Sequence, residues 1–243
     1  MLVALLPGEV RTQDDGSARA ARLSVTEGAV AVLPEGSTGG WTAALVNRPL
    51  SAGDQLWSDH GARAEVDFGN LALRLSSGTA ISILTLSDQG VQVAVNAGTV
   101  QVAVHAASAG QWIEVDAPSV AMSMLSGGDY RIGVGPDGSS AVSVRAGRAQ
   151  LASGAGENLG LRDGQGAVFA ADGAMDIAIP AAADEFDRWC ASRETHWQRD
   201  SDGPAYVSEE IPGSGQLSEA GQWTEVPDLG EVWFPSQVST DWS

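Results

Sequence analysis

The stretch Gly90–His105 constrains the fold of this chain more than any other. Its valines alternate with smaller or polar residues, first at positions 91, 93 and 95 and again at 100, 102 and 104. A period of two is typical of a half-buried β-strand. Between the two runs lies Asn96-Ala97-Gly98, which tolerates positive φ. The pattern therefore predicts two short strands joined by a tight turn.

Similar units occur elsewhere in the chain. A glycine follows a small or polar residue and precedes alternating small or β-branched residues at Gly28, Gly78 and Gly147, as it does at Gly98. A two-stranded unit is at best marginally stable alone, so such units must pack beside one another. We therefore expect an all-β fold, a β-solenoid or β-roll of short glycine-hinged strands. A jelly-roll-like sandwich would use the same turns and is the alternative.

Charge and hydropathy exclude several classes of function. The 243-residue chain has a formal net charge of −18, and all 13 of its basic residues are arginine. Such a surface repels phosphate backbones and anionic lipids, so we expect no nucleic-acid partner. No apolar run approaches the ~20 residues that span a bilayer, so we expect no integral membrane segment. The apolar run 2–6 resembles the end of a signal peptide, which predicts a periplasmic or extracellular location.

Composition divides the chain into four segments. Residues 1–21 are expected to be a disordered start or a signal-peptide remnant, and residues 22–179 the β domain. Residues 180–199 are expected to form an amphipathic helix, capped by Asp184 and with an apolar face of Phe186, Trp189, Cys190 and Trp197. Residues 200–243 are rich in Trp, Pro and Gly and are expected to be an irregular extension.

No segment has the full spacing and structural context of a catalytic or cofactor-binding motif. The segment Gly133–Gly138 matches the glycine pattern of dinucleotide sites, but a strand rather than a helix follows it. Asp200 and Asp202 lack the full ligand spacing of a calcium loop, and the three histidines have no metal-ligand spacing. Cys190, the single cysteine, lies on the predicted apolar helix face, so a buried thiol is expected. We therefore expect no enzyme activity, no cofactor and no metal.

Tryptophans are the strongest candidates for binding. Trp41, Trp57 and Trp112 are expected to fill a core that Ala and Val leave thin. Three further tryptophans lie in a segment with little other apolar bulk, and they need a surface to cover. The predicted partner-binding residues are Trp223, Trp233, Trp242 and Phe234.

Several ordered motifs resemble a FecR-type domain of exported bacterial proteins. They are Trp41-x-x-Ala-x-Val-Asn-Arg-Pro-Leu-x-x-Gly-Asp54, Leu56-Trp57, Glu114-Val-Asp-Ala-Pro118, Gly128-Asp-Tyr-Arg-Ile132 and Val144-Arg-Ala-Gly147. The remainder, from Asp184 onward, resembles the Trp-rich segment that follows this domain in large exported proteins of unknown function.

The resemblance implies a fold and a set of functions. In FecR sensors, a periplasmic β-solenoid-like domain relays the state of an outer-membrane transporter. The leading hypothesis is a non-enzymatic cell-envelope or extracellular module that binds a protein partner or itself as a scaffold. One alternative is a periplasmic signal-relay sensor domain of the sigma-factor-regulator type. Another is a protein that binds glycan or acts on a wall polymer.

Overall fold

The computed structural model of the chain describes residues 19–105, 110–201, 206–208 and 210–236. These residues form a β-rich molecule with one long helix, in agreement with the predicted all-β class. The first nine strands are β1 (Ala21–Glu27), β2 (Val30–Leu33), β3 (Thr42–Ala43), β4 (Pro49–Leu50), β5 (Gln55–Ser58), β6 (Arg63–Asp67), β7 (Leu71–Leu75), β8 (Thr79–Leu86) and β9 (Gly90–Val104). The next eight are β10 (Trp112–Ala117), β11 (Val120–Met124), β12 (Gly128–Val134), β13 (Ser140–Ala146), β14 (Arg148–Ser153), β15 (Asn158–Arg162), β16 (Gln165–Phe169) and β17 (Met175–Ala178).

The C-terminal part adds helix α1 (Glu185–Ser201), a 3₁₀ turn (Ser214–Gln216), a one-turn helix α2 (Leu217–Ala220) and strands β18 (Gly221–Val226) and β19 (Gly230–Pro235). The last two strands pair with each other as a hairpin. The extension is therefore not irregular as predicted, because its alternating residues form a two-stranded sheet. The predicted helix over 180–199 is confirmed, although it begins at Glu185.

Strand pairing divides the main body into two sheets joined by β9. Sheet I has the order β4-β1-β6-β7-β9-β12-β13-β16-β17. Sheet II has the order β3-β2-β5-β8-β9-β10-β11-β14-β15. All pairs are antiparallel except β9 with β10. The inward faces of both sheets contribute to one hydrophobic core, as in a flattened roll.

The predicted hinge glycines all lie where the chain passes from one sheet to the other. Gly28, Gly78, Gly98 and Gly147 have φ values of 77°, 64°, 79° and 99°. They follow β1, follow β7, interrupt β9 and follow β13, respectively. The sequence repeat therefore marks the corners of the roll.

The predicted hairpin at Gly90–His105 is wrong in its connection. The stretch is one 15-residue strand, β9, whose first part pairs with β8 and β10 in sheet II. Its second part pairs with β7 and β12 in sheet I. Gly98 bends the strand between layers instead of reversing it, and a Cβ there would overlap Thr79 Oγ1. The same correction applies to the unit around Gly28, because β1 and β2 on either side of it belong to different sheets.

The expected tryptophan core is wrong as well. Trp41 and Trp112 are exposed, and Trp57 is half-buried on the outward side of β5. Trp112 lies opposite Gly90 in the parallel ladder, and its ring occupies the space that a Cβ of Gly90 would need. The core is filled instead by Leu, Val and Ile with three larger side chains, Phe68, Tyr130 and Phe169.

Candidate functional site

A polar ladder crosses the outward face of sheet I. Glu65, Arg74, Gln101 and Arg131 occupy directly opposite positions on β6, β7, β9 and β12. Arg74 Nε donates to Glu65 Oε2 at 2.8 Å, and Arg74 Nη1 lies 3.5 Å from Gln101 Oε1. Arg74 is only 1% exposed, so this outward face is buried by another element.

Helix α1 covers the ladder and begins on its arginines. Asp184 Oδ1 accepts from the Asp187 N–H at 2.9 Å, which confirms Asp184 as the N-cap. Asp187 is buried and accepts from Arg131 Nη1 and Arg145 Nη2, both at 2.5 Å. Phe186 and Cys190 are buried beside it, as the predicted apolar face requires. Two carboxylates thus attach the first turn of the helix to β12 and β13.

The second half of α1 is attached by ions of both signs. Arg193 Nη2 donates to Glu65 Oε1 at 2.9 Å. Glu194 accepts from Arg74 Nη2 at 3.1 Å and lies 3.1 Å from His105 Nε2. We call this layer between α1 and sheet I the ionic seam. Its core members are Glu65, Arg74, Arg131, Arg145, Asp184, Asp187, Arg193 and Glu194.

The environment of the ionic seam shifts the pKa values of carboxyl groups in and beside it. Burial alone would raise the pKa of Glu65, but hydrogen bonds and charge from Arg193 and Arg74 lower it to about 2. The pKa of Glu194 is also lowered, against the effect of burial, by His105 and Arg74. Asp129 behaves oppositely, since burial raises its pKa more than the Gln101 hydrogen bond lowers it. The seam therefore stabilises the ionised form of Glu65, whereas ionisation of Asp129 is unfavourable to the folded protein.

A cavity of about 520 Å³ opens beside the C-terminal half of α1. Its walls include Arg74, His105, Asp129, Cys190 and Trp197. The His105 ring stacks on Trp197 with centroids 3.5 Å apart. His105 Nδ1 is buried and has no hydrogen-bond partner among the described residues. Two members of the ionic seam, Arg74 and Glu194, also line this cavity.

The reactive side chains of this region are constrained. Burial raises the pKa of the Cys190 thiol to about 12, so it stays protonated and is a poor nucleophile. Within the described residues, no group of three or more His, Cys, Asp or Glu side chains is placed to hold a metal ion. Asp202 and the side chain of Asp200 lie outside the described residues. The ion pairs of this region fasten helix α1 to sheet I.

The hairpin β18–β19 places two predicted partner-binding residues together. Trp223 and Trp233 lie directly opposite each other on one face. Tyr206 packs on Trp223 with ring centroids 4.9 Å apart, and Trp233 Nε1 donates to Leu217 O at 2.9 Å. Both tryptophans are half-buried, because Tyr206 and α2 cover part of this face. We call the strands β18 and β19 with Tyr206 the aromatic hairpin.

The other two predicted residues do not join this face. Phe234 pairs with Gln222 and therefore lies on the opposite side of the hairpin, where it is 46% exposed. Trp242 lies outside the described residues. In the described part, the predicted partner-binding residues are therefore a partly covered tryptophan pair and an exposed phenylalanine on the other face of the hairpin.

None of the ion pairs of the ionic seam was predicted from the sequence, and of its members only Asp184 was identified, as the N-cap of the helix. The available signal for the seam was the period-two placement of Glu65, Arg74 and Arg131 within strands that otherwise alternate apolar and small residues. A charged residue in such a strand is normally assigned to solvent. Only the register shows that these charges align under α1.

The sequence matches no protein-family model and no curated protein. Among solved structures, it is similar to two crystal structures, at 2.50 Å and 1.65 Å resolution, of a candidate anti-sigma factor from Parabacteroides distasonis ATCC 8503. Each is 14% identical, with a TM-score of 0.48, over 75% of this chain and 99% of that chain. At this identity and TM-score, the likeness assigns the chain to no family. None of the helices in the described residues is long and apolar enough to span a membrane.

Proposed function

We propose that this chain is a non-enzymatic, protein-binding module of the cell envelope or extracellular space, and that it binds its partner through the aromatic hairpin. The observation that carries the proposal is the exposure of Phe234 on a two-stranded sheet that, within the described residues, pairs with neither sheet I nor sheet II. An isolated hairpin is marginally stable, and it gains stability when a further surface covers its apolar face.

The charge of the hairpin defines the chemistry of the partner. Glu225 and Glu231 are opposite each other beside the tryptophan pair, and Asp228 lies in the turn. All three are exposed, in a chain with a net charge of −18. Like charges directly opposite destabilise a hairpin, and a cation from a partner relieves that repulsion. These carboxylates lie on the tryptophan face, opposite Phe234. The proposed partner is therefore a protein that contacts Phe234 with apolar side chains and reaches around the hairpin with Lys or Arg.

The non-enzymatic part of the proposal is supported by the seam. Its carboxylates are held by arginines, and the Cys190 thiol is protonated at neutral pH. These side chains lack the free acid, base or nucleophile that general catalysis requires.

Signal relay is a second candidate function, and the seam favours it. An interface built from ion pairs gains less from staying closed than an apolar one, because the released charges are solvated by water. In such a relay, helix α1 is the element whose attachment a partner alters. A relay would require that partner binding at the hairpin change the protection of the α1 amides from hydrogen exchange.

The proposal is tested by affinity capture from an envelope extract with matched baits. The baits are the wild-type chain, Phe234→Asp, and Leu84→Asp as control, since Leu84 on β8 is similarly exposed at 47%. A protein retained by wild type and Leu84→Asp but lost from Phe234→Asp supports the proposal. Equal retention by all three baits contradicts it. Binding to purified wall polymer that depends on Trp233 would favour the glycan alternative instead.

A further inference from the structure

The two sheets do not end together at the C-terminal end of the roll. The chain turns from β13 to β14 and from β15 to β16 through corners, which places β14 over β13 and β15 over β16. Strand β17 then adds to sheet I by a hairpin with β16. Sheet I consequently extends one strand beyond sheet II, and the inward face of β17 has no strand above it in the described residues.

The inward face of β17 is apolar, and its Met175 end packs against the core whereas its Ile177 end is uncovered. Ile177 pairs with Ala167, and Met175 pairs with Phe169. Both partners are buried in the core, so Ile177 and Met175 point to the same inward side. Ile177 is nevertheless 75% exposed, although it occupies a core-facing position.

The edge of β15 beside the inward face of β17 is open. Ser153 N donates to Glu157 O at 2.8 Å, which fixes the alternation of bonded pairs along β14 and β15. By that alternation, the backbone N–H and C=O groups of Asn158 and Gly160 point away from β14. In the described residues, β15 pairs with no strand other than β14.

The outward face of the same edge carries unneutralised positive charge. Arg148 and Arg162 are directly opposite each other and exposed. Neither forms an ion pair with a described residue. Like charges in a cross-strand pair are destabilising, and an acidic residue on an adjacent strand would offset them.

The inward face of β17 and the open edge of β15 together form a step at the end of the roll. We propose that this step is a second binding site, which binds one extended segment of a partner protein as an added strand on β15. The segment would complete sheet II and cover β17, with alternate apolar side chains on Met175 and Ile177. Its outward side chain beside Arg162 would be acidic. Strand addition of this kind uses backbone hydrogen bonds for affinity and side-chain pockets for selectivity. The site is independent of the aromatic hairpin.

The test selects binders from a displayed library of nine-residue peptides against the full chain. The expected peptides alternate apolar and polar residues and carry one Asp or Glu at an outward position. Binding of a selected peptide is measured by fluorescence anisotropy. Ile177→Asp should weaken it at least tenfold, because it places a charge on the apolar inward face of β17. Val168→Asp, on the outward face of the neighbouring strand, is the control and should leave binding unchanged.

A charge exchange adds a specific readout. Arg162→Glu should weaken the acidic peptide about two- to fivefold, as expected for an exposed ion pair. The same variant should bind better a peptide in which Lys replaces the acidic residue. A merely structural effect of Arg162→Glu would weaken both peptides alike and would overturn the assignment.

Other occupants give distinct results that also overturn the proposal. If residues 237–243 fill the site, the Gly160 amide is protected from exchange in the free chain and loses protection in a chain ending at residue 236. If a second copy fills it, sedimentation shows a dimer that Ile177→Asp dissociates. The proposal is also contradicted if no selected peptide has a dissociation constant below about 100 µM, or if peptide binding is insensitive to Ile177→Asp. Variants of Phe234 should not affect peptide binding, which separates this test from that of the proposed function.

Discussion

Glu65 and Arg74 face each other across β6 and β7, and Arg74 Nε donates to Glu65 Oε2 at 2.8 Å beneath helix α1. Arg193 from the helix binds the other carboxylate oxygen at 2.9 Å. One buried carboxylate thus joins two strands and a helix. Removing one member of such a pair is costly because the remaining charge stays buried without compensation.

The first prediction concerns the pH dependence that Glu65 gives to stability. Its pKa is about 2 in the folded protein against 4.5 ordinarily. A lowered folded pKa stabilises the protein fully above the unfolded value, and this contribution is lost as pH falls from about 4.5 to about 2. The shift corresponds to about 3 kcal/mol. Urea unfolding of Glu65→Gln should therefore show a deficit of that order at pH 7, shrinking toward zero near pH 2.

The matched control for that experiment is Asp184→Asn. The pKa of Asp184 is also lowered to about 2, chiefly by its hydrogen bond to Arg131. Its side chain is half exposed, however, and asparagine is an equally good N-cap. The expected loss is below about 1 kcal/mol. A loss as large as that of Glu65→Gln would show that exposure does not decide the strength of these pairs.

Asp129→Asn should change stability in the opposite direction. Burial raises the pKa of Asp129, so ionising it opposes folding as pH rises through its folded pKa. The amide removes that cost and can still accept the Gln101 hydrogen bond, which is 2.6 Å long. We expect a higher free energy of unfolding than wild type at pH 7 and no difference at pH 3. A destabilised variant at pH 7 would contradict this sign.

Two glycine-to-alanine variants separate backbone strain from close packing. Gly98 and Gly36 both have positive φ, at 79° and 65°, but only at Gly98 would a Cβ meet other atoms, those of Thr79 and Gly78. Alanine at position 36 should cost about 1 kcal/mol, from the left-handed conformation alone. Gly98→Ala should cost about 3 kcal/mol or more, as strain and overlap add. Equal losses in chemical denaturation would mean that the corner of β9 can shift.

The thiol of Cys190 provides a probe of the seam. Its pKa of about 12 and its burial on the inner face of α1 predict slow alkylation by iodoacetamide at pH 8 in the native protein. In urea the rate should rise to that of an ordinary thiol. Arg74→Met should accelerate native-state labelling if the seam holds the helix down. An unchanged rate would show that the apolar contacts of Phe186 suffice.

The local pattern of the sequence was enough to predict the β class, the helix cap at Asp184 and the four hinge glycines. These depend on neighbouring residues, which the sequence displays directly. The pattern was misleading about what Gly98 does, because a positive φ can either reverse a strand or pass it to another sheet. Only the long-range contact with Thr79 decides between these outcomes.

The candidate site was less predictable for the same reason. Trp223 and Trp233 were identifiable by type, but their opposition in a hairpin, with Phe234 on the other face, depends on register. Trp112 was expected in the core, yet its ring lies on the outward face of sheet II, where it packs over Gly90 of the neighbouring strand. The step at β15 and β17 has no sequence signal, since Ile177 follows the same alternation as a buried residue.

The ratio of the dissociation constants of Phe234→Asp and Leu84→Asp, measured with the purified partner that the wild-type chain captures, tests the proposed function most directly. Replacing an exposed aromatic contact at the centre of an interface should weaken binding at least tenfold, whereas the equally exposed Leu84 should contribute nothing. We expect a ratio of ten or more. A ratio near one would show that the aromatic hairpin is not the surface by which this protein binds.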